Sequence, residues 1–234
     1  MRLSIFLTFI VKRTPEQKFL LLYESAKRSL LAAGLKLDRI RSDTGALESD
    51  INSNIDVGVR AISPLLDAVS FVDFAHRFGG LVQGMPLISK SAPEVKRLMR
   101  ALRPVETARN YLQHMRGDLS SNEEVSYPAL GSLRWVNGGR SYFVFLAQSG
   151  GATAPSMVFD VRQGVWISAL QYEVKNTTVD IDSVMQEMRA AFDWITSRCQ
   201  FSDPSFAELS WGQIQAIGLQ FTLNPTVPDE SHQP

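Results

Sequence analysis

"ALGSLRWVNGGRSYFVFLA", Ala129 to Ala147, is the stretch where the apolar period of this 234-residue chain changes from helical to alternating. Asn137, Gly138 and Gly139 separate two β-type runs, and adjacent glycines supply the positive φ angles that a tight hairpin turn needs. Two further runs, "SMVFDVR" from Ser156 and "VWISALQYEV" from Val165, follow a Gly- and Ser-rich stretch and a Gln-Gly pair. Together the four runs predict a four-stranded antiparallel β-meander over residues 126–175.

Upstream of that stretch the pattern is helical. Thr14, Pro15, Glu16 and Gln17 form a helix start: a hydroxyl cap, proline at the first position, and Gln three residues on to reach back to the cap amide. Phe19, Leu22, Tyr23, Ala26, Leu30 and Ala33 then recur at three- and four-residue steps, and Gly34 is the expected close. Residues 38–54 are polar and are expected to be a mobile connection. A second helical region covers about 55–83, with Pro64 imposing a kink or a fresh start capped by Ser63. A third opens on a Ser91/Glu94 capping box, is interrupted at Pro104, and is expected to close at Gly117. Downstream, Ile181, Val184, Met185, Met188, Phe192 and Ile195 define a last helix over 180–198.

The predicted class is therefore α+β: a mainly helical bundle of about four helices, with the meander between the third and the fourth. One domain is expected across 1–234, with its helical part at 14–117 and the sheet as an insertion or separate lobe. The tail 224–234 has almost nothing to bury and is expected to be disordered.

Composition narrows the function classes. Hydrophobic residues at 44% and charged residues at 21% describe a globular protein, and a formal net charge of zero leaves no global basic field for nucleic acid. One cysteine, Cys199, and three scattered histidines leave no thiolate or imidazole cluster for zinc. No phosphate loop, dinucleotide-binding glycine triplet, metalloprotease helix or nucleophile elbow is present, so neither metal nor cofactor is expected. The apolar run Leu3–Val11 is about half a bilayer span and runs directly into Lys12, Arg13 and a helix cap, so a strand or helix lead-in is expected rather than a membrane segment. The cytoplasm is the expected compartment.

Chemistry concentrates in "ARNYLQHM", Ala108 to Met115. On a helix Asn110 and His114 lie one turn apart on one face, while Arg109 is about 140° around from His114. A histidine can give or take a proton near neutral pH, and a guanidinium matches phosphate-like charge. These are the parts needed for RNA cleavage without a metal, in which a base deprotonates the ribose 2′-hydroxyl for attack on the adjacent phosphorus. The run Arg109-Asn110-Tyr111-Leu112-Gln113-His114 resembles the R-x4-6-H motif of the HEPN superfamily of helical domains, with a polar residue after the arginine. The resemblance covers the helices and implies a homodimer in which Arg109, Asn110 and His114 of each subunit meet in a composite RNA-cleaving site. It also implies an antitoxin-like partner in members that act as toxins.

Other residues bear on the same question. Between Glu94 and Asp118 six basic residues face three acidic ones, and Lys96, Arg100, Arg103 and Arg116 are the candidate RNA-phosphate contacts. His76, beside Phe74 and Phe78, is expected to be packed or capping, and His232 falls in the tail. Trp135, Tyr142, Phe143, Phe145, Phe159, Trp166 and Tyr172 could stack on bases, but alternation splits them between two faces and covering the helices is the commoner role. The competing expectation is a helical scaffold or interaction protein with no active site.

Overall fold

The computed structural model describes residues 14–53, 55, 57–121, 128–146, 159–160, 165–166 and 170–199, all within one compact unit. The run Leu3–Val11 and the tail 224–234 lie outside the described residues. The class is α+β, with a four-stranded antiparallel sheet between the third helical region and the last helix.

Helix α1, Pro15–Asn52, begins as its sequence predicts. The Thr14 hydroxyl accepts from the Gln17 amide at 3.2 Å, and the Gln17 side chain accepts from the Thr14 amide at 3.1 Å. It does not stop at Gly34. Phe19, Tyr23, Ala26, Ala33, Leu37, Ile40, Thr44 and Leu47 are all buried, so the three- and four-residue spacing runs through Gly34 and on into the polar segment expected to be a loop. Burial along that stripe outweighs a mid-helix glycine penalty of about 1 kcal/mol.

A short 3-10 turn, Gly58–Ala61, leads into α2, Ile62–Gly84. Pro64 is the third residue of α2, where an amide has no intrahelical acceptor to lose, so the proline accompanies a fresh start. Ser63 is not the cap; its hydroxyl donates to Asp43 of α1 at 2.8 Å. Between α1 and α2, Asp67 is buried with Lys36 Nζ at 2.7 Å and Arg39 Nε at 3.1 Å. Hydrogen bonds to a charged group are worth about 1.5–3 kcal/mol, so Asp67→Ala is expected to cost about 2 kcal/mol. A urea midpoint that drops at unchanged slope would show it; a midpoint equal to wild type would mean that apolar packing alone aligns the two helices.

The third region is two helices, α3 at Pro93–Ala101 and α4 at Arg103–Ser121, with the break at Leu102 beside Pro104. The Ser91/Glu94 capping box does not form: Pro93 begins the helix after Ala92, and the Ser91 and Ser89 hydroxyls bond each other at 2.9 Å. Helix α4 passes through Gly117, because a glycine permits a helix end without imposing one. The helical part therefore extends beyond 117.

Strands β1 (Ser132–Asn137) and β2 (Arg140–Phe145) form the expected hairpin, with Gly138 and Gly139 at φ of 55° and 75°. Strands β3 (Phe159–Asp160) and β4 (Val165–Trp166) pair apart as a two-stranded ribbon, while β5 (Gln171–Val174) and β6 (Thr177–Asp180) complete the main sheet in the order β2-β1-β5-β6. This corrects the meander. The third run enters the ribbon, the fourth divides between ribbon and sheet, and β5 returns to the open side of β1, whose first four residues are buried. The sheet also continues past 175 to Asp180. That residue then caps α5, Ile181–Arg198, by accepting from the Ser183 amide at 2.9 Å.

The sheet is seated on the helices. Glu48 of α1 accepts from Trp135 Nε1 at 2.6 Å and Asn137 Nδ2 at 2.7 Å, and Asn52 Nδ2 donates to the Tyr142 hydroxyl at 3.2 Å. Lys175, in the β5–β6 turn, lies 5.5 Å from the ring centroid of Tyr111 on α4. Trp135, Tyr142 and Tyr172 are buried under the sheet, whereas Phe143 and Phe145 stack at 6.0 Å on its other face. The side chains of Phe159 and Trp166 lie outside the described residues. The candidate base-stacking set is thus divided, with three of its members in the core.

Candidate functional site on α4 and the α2–α4 groove

Burial of Val105, Ala108 and Tyr111 fixes the roll of α4 against the bundle. With that side inward, Asn110 and His114 stand exposed one turn apart, the same-face pair expected from spacing. Arg109 does not join them. It leans into the groove between α4 and α2, where its buried Nε lies 4.0 Å from Asp73 Oδ1 and has no hydrogen-bond partner among the described residues. The other carboxylate oxygen, Oδ2, accepts from Arg77 Nε at 2.8 Å and lies 2.7 Å from its Nη2. Asp73 is therefore held by Arg77 and only faces Arg109. Within one chain the R-x4-H residues occupy two neighbouring sides of α4 rather than one cleft.

The groove continues along both helices. Around Arg109 a cavity of about 380 Å³ is walled by Val69, Phe74 and Leu112. Toward the start of α4 a second cavity, about 280 Å³, is lined by His76, Gly80, Gln83, Arg103 and Glu106. His76 is half-buried and lines this groove. Asp73 and His76 were not legible as groove residues from their own segment. Their i,i+3 spacing on α2 puts them on one face, but the helix that covers that face lies about thirty residues away in the sequence.

The candidate phosphate contacts Lys96, Arg100 and Arg103 are all exposed. The break at Leu102 takes Arg103 out of the α3 helical phase, so it begins α4 and lines the groove instead of extending a single basic stripe. Arg97 lies 3.9 Å from Glu187 of α5. The Arg116 side chain lies outside the described residues. Among the described residues no group of three or more His, Cys, Asp or Glu could hold a metal ion, and no helix is long and apolar enough to cross a membrane.

No family model, curated protein or solved structure matches this chain. Its chemistry is therefore argued from the groups themselves. His114 offers an accessible imidazole for proton transfer, and Asn110 offers an amide for a hydroxyl or phosphate oxygen beside it. Arg109 carries a guanidinium whose Nε lies 4.0 Å from Asp73, beyond hydrogen-bond reach.

Proposed function

We propose that the protein is a HEPN-like, RNA-directed protein of the cytoplasm that works as a homodimer and cleaves RNA without a metal. The observation that carries this is the exposed Asn110–His114 pair on a helix whose opposite side is buried, beside an arginine whose Nε has no hydrogen-bond partner among the described residues. A two-fold pairing of α4 with its copy would put His114 of one subunit and Arg109 of the other on either side of one phosphodiester. His114 takes the 2′-hydroxyl proton, the oxygen attacks phosphorus, and the bond to the 5′-oxygen breaks as that oxygen takes a proton from the imidazolium so formed, directly or through water. Arg109, released from Asp73, stabilises the charge that builds on the phosphorane oxygens. A bound antitoxin-like protein would act by covering that face.

The test is incubation of the purified protein with mixed cellular RNA in EDTA, comparing wild type with His114→Ala and measuring mass in solution. A dimer with His114-dependent cleavage is expected; intact RNA with both proteins removes the catalytic proposal. The placement of Arg109 toward Asp73 favours a second function, a non-catalytic scaffold in which the arginine only joins α4 to α2. In that case Arg109→Ala lowers stability, and no activity depends on His114.

A further inference from the structure

The α2–α4 groove has a regular construction. Along it α2 runs past α4 and then α3: Asp73 faces Arg109, Gly79 approaches Leu102 and Gln83 reaches Met99, with His76, Gly80, Arg103 and Glu106 lining the space between. Two glycines shape its second cavity. A Cβ on Gly79 would stand 2.5 Å from Leu102 Cδ1, which shows how closely the backbone of α2 approaches the α3–α4 junction. A Cβ on Gly80 would meet nothing within 4 Å, so that position leaves open space. Gln83 closes the end by donating to the Met99 sulfur at 2.7 Å.

We propose that this groove binds a single RNA strand on its way to the Asn110–His114 face, a subsite that rests on the RNA-directed function argued above. The cavity beside Arg109 suits a base: Phe74 offers an aromatic ring, Val69 and Leu112 are apolar walls, and Asp73 and Gln113 offer acceptor oxygens for a base N–H. The next cavity suits a phosphate. Arg103 and His76 present N–H donors from opposite helices to a phosphate oxygen, and the Glu106 carboxylate, which repels an anion, is an acceptor for the imide N–H of a neighbouring uracil. The cavities are about eight residues apart along each helix, or about 12 Å, so one strand can occupy both.

The test is binding of a fluorescein-labelled, 2′-O-methylated oligouridylate of a dozen nucleotides to the full chain, read by fluorescence anisotropy. Its blocked 2′-hydroxyls prevent cleavage, which separates this site from the catalytic proposal. Phe74→Ala and Arg103→Ala are each expected to weaken binding about tenfold, the latter also making the salt dependence shallower by about one phosphate contact. Gly80→Phe, whose ring would fill the open second cavity, should weaken binding as much while leaving the melting temperature near wild type. Arg97→Ala, on the helix outside the groove, should bind within twofold of wild type. No binding by wild type would overturn the proposal, as would groove variants within twofold of it or an Arg97→Ala loss equal to that of Arg103→Ala. So would equal binding of a polyaspartate peptide, since that is plain charge attraction. If the groove variants lose binding but no RNA is ever cut, the subsite stands and catalysis falls; if they bind as wild type does while cleavage depends on His114, catalysis stands and the subsite falls.

Discussion

Gly131→Ala is expected to lower folding stability by about 3 kcal/mol, and Gly138→Ala, in the neighbouring hairpin turn, by only about 1 kcal/mol. Both glycines have a left-handed backbone, with φ of 74° and 55°, and an L side chain there costs about 1–2 kcal/mol by itself. Their surroundings differ. A Cβ on Gly131 would lie 2.4 Å from the Glu173 carbonyl oxygen and 2.9 Å from the Tyr172 hydroxyl, whereas a Cβ on Gly138 would meet nothing within 4 Å. Relief at Gly131 requires moving backbone, because Ser132 to Arg134 pair with Gln171 to Glu173 in a central strand contact. That contact attaches the whole β5–β6 hairpin. Tyr172 fixes it further: its hydroxyl donates to the Leu130 carbonyl at 2.8 Å, and burial pushes its pKa upward so that the donor proton is kept. Urea unfolding of the two variants isolates the clash as the difference between their midpoints. Equal shifts would mean that β1 and β5 separate at little cost.

Local signals in this sequence were reliable where the decisive contact is also local. The Thr14–Gln17 capping box, the Gly138–Gly139 hairpin turn and the Asp180 start of α5 each depend on groups within four residues, and each forms as its residues predict. Gly34 misled because the buried stripe continues past it, and Gly117 because a glycine permits a helix end without imposing one. The buried positions Leu37, Ile40, Thr44 and Leu47 prolong α1, but they lie among Asp, Ser and Arg that suggest a loop. The sheet order was not legible for a related reason. Adjacent runs pair as hairpins by default, and the return of β5 to β1 depends on contacts about forty residues apart, together with the short β-branched segment Thr177–Val179, which precedes a helix cap. At the candidate site the sequence alone placed Asn110 and His114 on one face and Arg109 off it. It did not place Arg109 against Asp73, since that pairing joins helices in different parts of the chain.

For RNA cleavage, His114→Ala is expected to lower the rate about 10²–10⁴-fold, the range associated with loss of a positioned proton-transfer group. Arg109→Ala is expected to lower it about 10²–10³-fold, since the proposed mechanism assigns it charge that exists only in the transition state. These losses alone do not distinguish a site within one chain from one shared by two. Mixed dimers do. A dimer of one His114→Ala chain and one Arg109→Ala chain carries a single intact set of groups divided between subunits. Because Arg109 lies to one side of α4 and the Asn110–His114 pair on another, a shared site can draw the arginine from one chain and the histidine from its partner. Co-expressing differently tagged variants and purifying through both tags gives that species without either parent. Cleavage well above that of both single-variant dimers is the expected result; a rate no higher than theirs would place arginine and histidine in the same chain's site. The fold has already put them on different sides of one helix, so such a result would require α4 itself to rearrange on binding RNA.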